Sequence, residues 1–252
     1  MTGDAFGEMI KEAFSLGRET AEIVERDDGF IRSGSTARYF AAPAEWAPLE
    51  RRALDLARGR VLDVGCGAGR FALAGQARGL AVTALDTSAG VIEVARRRGV
   101  RDAVHADLGA HAADGVRYDT FLLMGENLGL LESRERAPEF LGRLAALAAP
   151  GAQVIGHGAD PGGGTDPAHA RYAARNAGCG RLPGQMTIRV RHRELATPWF
   201  DYLLCAPEEL GALVADSSWA VTSVDRADRV NYLAVLTLGA RRPGGTAAPP
   251  AR

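Results

Sequence analysis

The stretch Val61-Leu62-Asp63-Val64-Gly65-Cys66-Gly67-Ala68-Gly69-Arg70 decides the reading of this 252-residue chain. An apolar run carries one acid, three glycines follow at intervals of two, and Phe71, Ala72 and Leu73 continue with helical character. The pattern predicts a buried parallel strand, a glycine turn and a helix N-terminus, a generic place to hold a nucleotide-like ligand. The third glycine comes one residue earlier than in G-x-G-x-x-G, and Asp63 stands ahead of the first. An acid there repels phosphate and suits a cationic ligand.

On the C-terminal side, strands and helices alternate. The strands are expected at Ala81–Leu85, Ala103–Ala106, Tyr118–Met124 and Gln153–Gly156. Helices are expected over roughly 68–78, from the Ser88 cap through Arg98, and where Phe140, Leu141, Leu144 and Leu147 share a face. This alternation argues for an open parallel sheet. On the N-terminal side, Phe6, Met9, Ile10, Ala13 and Phe14 predict a helix over about 4–26, and Trp46, Leu49, Ala53, Leu54 and Ala57 predict another, capped by Gly59. Beyond residue 157 the pattern changes. Residues 158–184 are rich in Gly and Pro, Met186–Leu195 alternates in the manner of a strand, and Phe200–Leu204 reads as its antiparallel partner. A helix at Pro207–Ala215 and a closing hairpin, Trp219–Val224 with Tyr232–Leu238, complete the pattern; residues 241–252 read as a disordered tail.

Composition narrows the function. The chain is 46% hydrophobic with a net charge of −1, enough for one large cored domain and without the basic footprint of a nucleic-acid binder. No apolar run approaches the roughly 18 residues of a membrane span, and the first residues lack a signal pattern. Cys66, Cys179 and Cys205 form no C-x-x-C pair, which suits a reduced cytoplasm and no structural metal.

The Val61–Arg70 stretch closely resembles motif I of class I S-adenosylmethionine (SAM) dependent methyltransferases, and partners arrive at the spacings that fold requires. The resemblance covers roughly residues 59–157 well and the final hairpin loosely. It implies an α/β fold with a seven-stranded, mostly parallel twisted sheet, helices on both faces and an antiparallel last strand. An N-terminal helical cap (1–58) and a β-hairpin insertion before the last helix would be added to it. The SAM-binding domain is expected at 59–240, with the insertion 158–204 as substrate lid.

The same resemblance implies a cofactor site of Asp63, Gly65, Cys66, Gly67, Gly69, Asp86, Thr87, Asp107, Leu108, Met124 and Gly125. Asp86 ends the second strand, where a carboxylate reaches a ribose diol. Asp107 falls where the family accepts from the adenine amino group, with Leu108 beside it. Cys66 reads as a small filler rather than a nucleophile. Tyr39, in the Arg38-Tyr39-Phe40 run, is expected to lie over SAM, as an aromatic from such a segment does in many members.

Methyl transfer needs alignment above all, and a base when the acceptor must lose a proton. His157, just past the fifth strand, is the first candidate for that base. Glu126 and Asn127, after the fourth strand, are expected to line the site, with His192 as a further candidate. Trp199 and Tyr202 offer aromatic surface to a flat acceptor, or packing for a hairpin. Arg191, aligned with Arg189 and Arg193, offers an anion-reading face or a solvated one.

The Asp/Asn-Pro-Pro-Tyr/Phe signature of nucleobase and amide N-methyltransferases is missing. The lone Lys11 cannot build the lysine-centred tetrad of ribose methyltransferases, and no acidic set for magnesium stands out. The expectation is a cytoplasmic enzyme, monomer or homodimer, with no nucleic-acid or membrane partner. It would move a methyl group from SAM to O, N or C of a small molecule or short peptide, plausibly in specialised metabolism, leaving S-adenosylhomocysteine (SAH). Two alternatives stay open: other SAM chemistry (aminocarboxypropyl transfer or cyclisation) and a non-catalytic SAM-binding or partner-binding protein.

Overall fold

The glycine stretch lies at the centre of a seven-stranded sheet in the computed structural model, which describes residues 1–111 and 115–239. The chain enters through α1 (Ala5–Leu16), a hairpin of β1 (Ala21–Arg26) and β2 (Ile31–Ser35), and α2 (Pro48–Leu56). The central unit follows: β3 (Arg60–Val64), α3 (Arg70–Ala77), β4 (Ala81–Asp86), α4 (Ala89–Arg97), β5 (Asp102–His105), β6 (Tyr118–Leu123), α5 (Ala137–Leu147) and β7 (Ala148–Ala159). Then come α6 (Pro167–Gly178), β8 (Gln185–His192), β9 (Leu195–Ala196), β10 (Phe200–Leu203), α7 (Pro207–Val214), β11 (Trp219–Arg226) and β12 (Asn231–Leu238).

The large sheet has the order β11-β12-β7-β6-β3-β4-β5. Pairing is parallel from β7 through β5, and β12 runs antiparallel to both its neighbours. The order reverses at β3, whose neighbours β4 and β6 lead away on opposite sides. A crevice therefore opens at the carboxyl end of β3. Burial on both faces explains the apolar strands. Val61 joins one core with Phe71, Val91 and Val94, and Leu62 joins the other with Phe121, Leu141 and Trp219.

The N-terminal helix is shorter than its periodicity suggests. Asp4 caps its start by accepting from Gly7 N (2.8 Å), and Gly17, at φ 61°, ends it in the left-handed region. Residues 21–35, the first six of them expected to be helical, form instead the β1–β2 hairpin of a second, antiparallel sheet. Its order is β10-β8-β1-β2, with β9 beside β8. The segment before residue 58 is thus part helix and part sheet, and its strands join those of the insertion. The expected pairing within the insertion is present, with Phe200 opposite Ile188 and Leu203 opposite Gln185. The tail at 241–252 lies outside the described residues.

Asp4 also ties this upper layer to the large sheet. Its carboxylate accepts from Ser88 Oγ (2.8 and 2.9 Å) and Gly90 N (3.0 Å), at the start of α4. The crossing is close: a Cβ on Gly90 would sit 2.8 Å from the Gly7 backbone. α1 is thereby held directly beside Asp86.

Candidate active site

β3 stops at Val64 because the next residues adopt conformations that only glycine enters freely. Gly65, Gly67 and Gly69 have φ of 70°, 53° and 77°. Gly65 N and Cys66 N donate to Leu85 O (2.8 and 3.1 Å), which locks the loop to the end of β4. Gly67 N donates to Asp86 Oδ2 (3.1 Å), and Ser88 N donates to Asp86 Oδ1 (2.9 Å). The loop is closely walled. A Cβ on Gly67 would meet Tyr39 Cδ1 at 3.3 Å, and one on Gly65 would meet Asn127 Nδ2 at 2.5 Å. Tyr39 thus lies over the glycine loop, and Asn127 braces it, donating to Val64 O (3.1 Å) and Gly65 O (3.0 Å).

Two buried acids flank this loop. Asp63 is 2% exposed, and its Oδ2 is the one buried side-chain N or O atom without a hydrogen-bond partner among the described residues. Burial pushes its pKa up to about 7, opposed by the Arg70 charge and aided by Asp86. Burial likewise pushes Asp86 up to about 6, against the backbone donors of Ser88, Gly67 and Thr87 that favour its charge. An orphaned carboxylate beside a glycine cradle is a site short of a cation. Cys66 is also buried, which holds its thiol well above the usual range and suits a filler rather than a nucleophile.

The remaining cofactor candidates divide. Met124 and Leu108 are buried nearby, just after β6 and β5 respectively, and Gly125 is left-handed at φ 73°. Thr87 is exposed, with its carbonyl taken by His105 Nε2 (3.0 Å). Asp107 is exposed too, and its Oδ1 is occupied by Gly109 N (2.7 Å) and Ala110 N (2.8 Å). In this structure it caps its own loop.

Across the mouth stand residues from three other elements. His157 lies inside β7, opposite Leu233, rather than beyond the strand. Its Nδ1 accepts from Glu126 N (3.1 Å), and burial lowers its pKa despite the pull of Glu126 and Glu50. The neutral ring therefore carries its proton on Nε2. Tyr202, on β10, donates to Glu126 O (2.8 Å) and packs on Gly129. Burial pushes its hydroxyl well up, and Glu126 and Tyr39 add to that.

Three candidates make their ion-pair and ring contacts elsewhere. His192 Nε2 pairs with Glu12 Oε2 (2.8 Å) on α1. Arg191 is engaged by Glu25 Oε2 (3.2 Å), shared with Arg189 (2.9 Å), so the expected anion-reading face is already countered by a carboxylate. Trp199 is 43% exposed and stacks on the Arg189 guanidinium at 4.4 Å.

Sequence reasoning missed Glu22. It is 3% exposed on β1, accepts from Tyr39 OH and Arg38 Nη2, and so holds the Tyr39 ring over the loop. Reading 21–26 as helix concealed the alternation that turns Glu22 inward. The Glu50–Arg70 pair at the start of α3 was missed as well.

A family model described as a methyltransferase domain matches residues 61–151. A SAM-dependent methyltransferase from Bacteroides fragilis, solved with SAH, superposes with a TM-score of 0.81 at 25% identity, covering 94% of this chain and 95% of its own. Two further structures share the fold. The 1,6-didemethyltoxoflavin-N1-methyltransferase of Burkholderia thailandensis has TM-score 0.52 and 19% identity, covering 76% of this chain and 78% of its own. The glycopeptide N-methyltransferase MtfA has TM-score 0.53 and 17% identity, covering 75% and 88%. No curated protein matches the sequence. Residues 61–151 thus form a methyltransferase domain, and the chain has the class I SAM-dependent methyltransferase fold.

Proposed function

We propose that the protein transfers the methyl group of SAM to a nitrogen, oxygen or carbon of a small molecule or short peptide. The observation that carries this is the unpartnered, buried Asp63 carboxylate beside a glycine loop roofed by Tyr39. Those residues fit a ligand with a cationic amino-acid end and no phosphate. When bound, SAM supplies a methyl group already activated on a sulfonium.

The chain's own residues then have separable tasks. Asp63 offers its free oxygen to the ammonium. Asp86, at the β4 end, takes the ribose hydroxyls, and Leu108 and Met124 supply apolar surface. The Glu22–Tyr39 bond keeps the aromatic roof in place, so water is excluded where the two ligands meet. Tyr202 and His157 fix the loop that carries Glu126. The second sheet, to which the 158–204 insertion contributes β8, β9 and β10, is the acceptor side in this reading.

The neighbours named for small-molecule and glycopeptide methylation support a role in specialised metabolism. The net charge of −1 favours acceptors other than nucleic acid, and no helix among the described residues is long and apolar enough to cross a membrane. Cytoplasmic placement and a monomer or homodimer complete the reading. Incubation with SAM and candidate acceptors, followed by mass spectrometry, tests it. The expected by-product is SAH together with an acceptor heavier by one methylene. Methylthioadenosine would reveal arm transfer, and unchanged SAM across a broad acceptor panel would contradict turnover.

A further inference from the structure

At Glu126, in the loop after β6, backbone preference and side chain disagree. It follows Gly125 and is itself left-handed at φ 70°, a conformation that favours glycine over a side chain. Three hydrogen bonds hold it there: its N–H on His157 Nδ1 (3.1 Å), and its carbonyl accepting from Tyr202 OH (2.8 Å) and Gly129 N (2.8 Å). The backbone is over-determined, yet the half-buried carboxylate it presents makes no hydrogen bond or ion pair among the described residues. Strain retained around an unused functional group points to a use for that group.

The neighbouring groups narrow that use. His157 cannot accept a proton without losing its bond to Glu126 N, since the tautomer that frees Nε2 would set an N–H against an N–H. Tyr202 donates its hydroxyl proton to the loop. Glu22 is taken by Arg38 and Tyr39, and Glu50 by Arg70. Of the cations within electrostatic reach of Tyr202, Arg38 is neutralised by Glu22 and Arg32 lies exposed on β2. An available carboxylate with no cation on it is complementary to a cationic acceptor.

We infer that the acceptor is a protonated amine, and that the Glu126 carboxylate binds it and takes its proton. This rests on the methyltransferase reading above. In the step, one N–H bond of the ammonium breaks and an O–H bond forms on Glu126. The electron pair stays on nitrogen, which becomes the neutral nucleophile, and the proton later leaves Glu126 for solvent. A hydroxyl acceptor would gain much less, because it carries no charge for the carboxylate to hold.

The test uses the full chain loaded with SAH, with benzylamine and benzyl alcohol as probes in calorimetric or saturation-transfer titrations. Glu126→Gln and Glu126→Gly are compared with the unaltered protein. The expected result is benzylamine bound tighter than benzyl alcohol, with benzylamine binding at least about tenfold weaker in both variants. SAH affinity should be unchanged in both, and Glu126→Gly should melt higher by about 2–4 °C through relief of the left-handed side chain. Equal benzylamine binding with and without the carboxylate, preference for benzyl alcohol, or a lower melting temperature for Glu126→Gly would overturn the inference. Failure of the unaltered protein to bind SAH would instead overturn the methyltransferase reading beneath it.

Discussion

Replacing Asp63 by asparagine should stabilise the protein and cripple its ligand site together. The carboxyl is 2% exposed with Oδ2 unpartnered, and burial lifts its pKa from 3.8 to about 7. At about 1.4 kcal/mol per unit, keeping it ionised above neutral pH costs the fold about 4 kcal/mol. The sign follows from the direction of the shift. The folded state favours the protonated carboxyl, so the cost is absent below about pH 4, grows as pH rises and is complete above about pH 7. Asparagine carries no charge but brings an N–H that needs an acceptor, so about half of this should be recovered. A gain of about 2 kcal/mol corresponds to a melting temperature about 4–8 °C higher at pH 8, shrinking toward pH 4. SAH binding should move the other way. Losing a charged partner for the ammonium costs about 1.5–3 kcal/mol, or roughly tenfold to a hundredfold in Kd. In the unaltered protein, SAH affinity should rise by about tenfold between pH 6 and pH 8 as Asp63 ionises. Thermal melts and titration calorimetry across this range measure both. An Asp63→Asn protein that is no more stable at pH 8, or that binds SAH as tightly as the original, would refute the reasoning.

Other substitutions report on other parts of the site. Gly67→Val should abolish SAH binding in calorimetry, because φ is 53° and a Cβ already lies 3.3 Å from the Tyr39 ring. Asp86→Ala should weaken SAH by about 1–3 kcal/mol, the range for losing hydrogen bonds to a charged group. Tyr39→Phe removes the bond to Glu22 while keeping the ring, and should raise the KM for SAM more than it lowers kcat. Asp4→Ala removes the cap of α1 and its bonds to Ser88 and Gly90, and should cost about 1–2 kcal/mol in denaturant unfolding.

The parts of the site legible in the sequence are those that local chain geometry dictates. Asp63, the three glycines and Asp86 sit at strand ends, where an apolar run and a turn announce themselves within a few residues. Tyr39 is suggested only by the family resemblance, and the structure sets its ring against Gly67. The hairpin at 21–35 was not legible, because Ala21–Arg26 is short and mixed in polarity, and its partner strand β8 lies more than 150 residues away. Gly17 was the available signal that α1 ends early. The same distance hides what becomes of the charged residues. Nothing near Arg191 in sequence reveals Glu25, and nothing near His192 reveals Glu12. His157 is expected just past the fifth strand but lies inside β7, and what it can do depends on which ring nitrogen the Glu126 backbone occupies, a fact of tertiary structure alone.

The most direct test of the central claim is a calorimetric titration of the purified protein with SAH, with NADH in parallel. The account predicts micromolar, one-to-one binding of SAH and none of NADH. A folded protein that ignores SAH, or that prefers NADH, would contradict the assignment of the Asp63, Gly67 and Asp86 cradle.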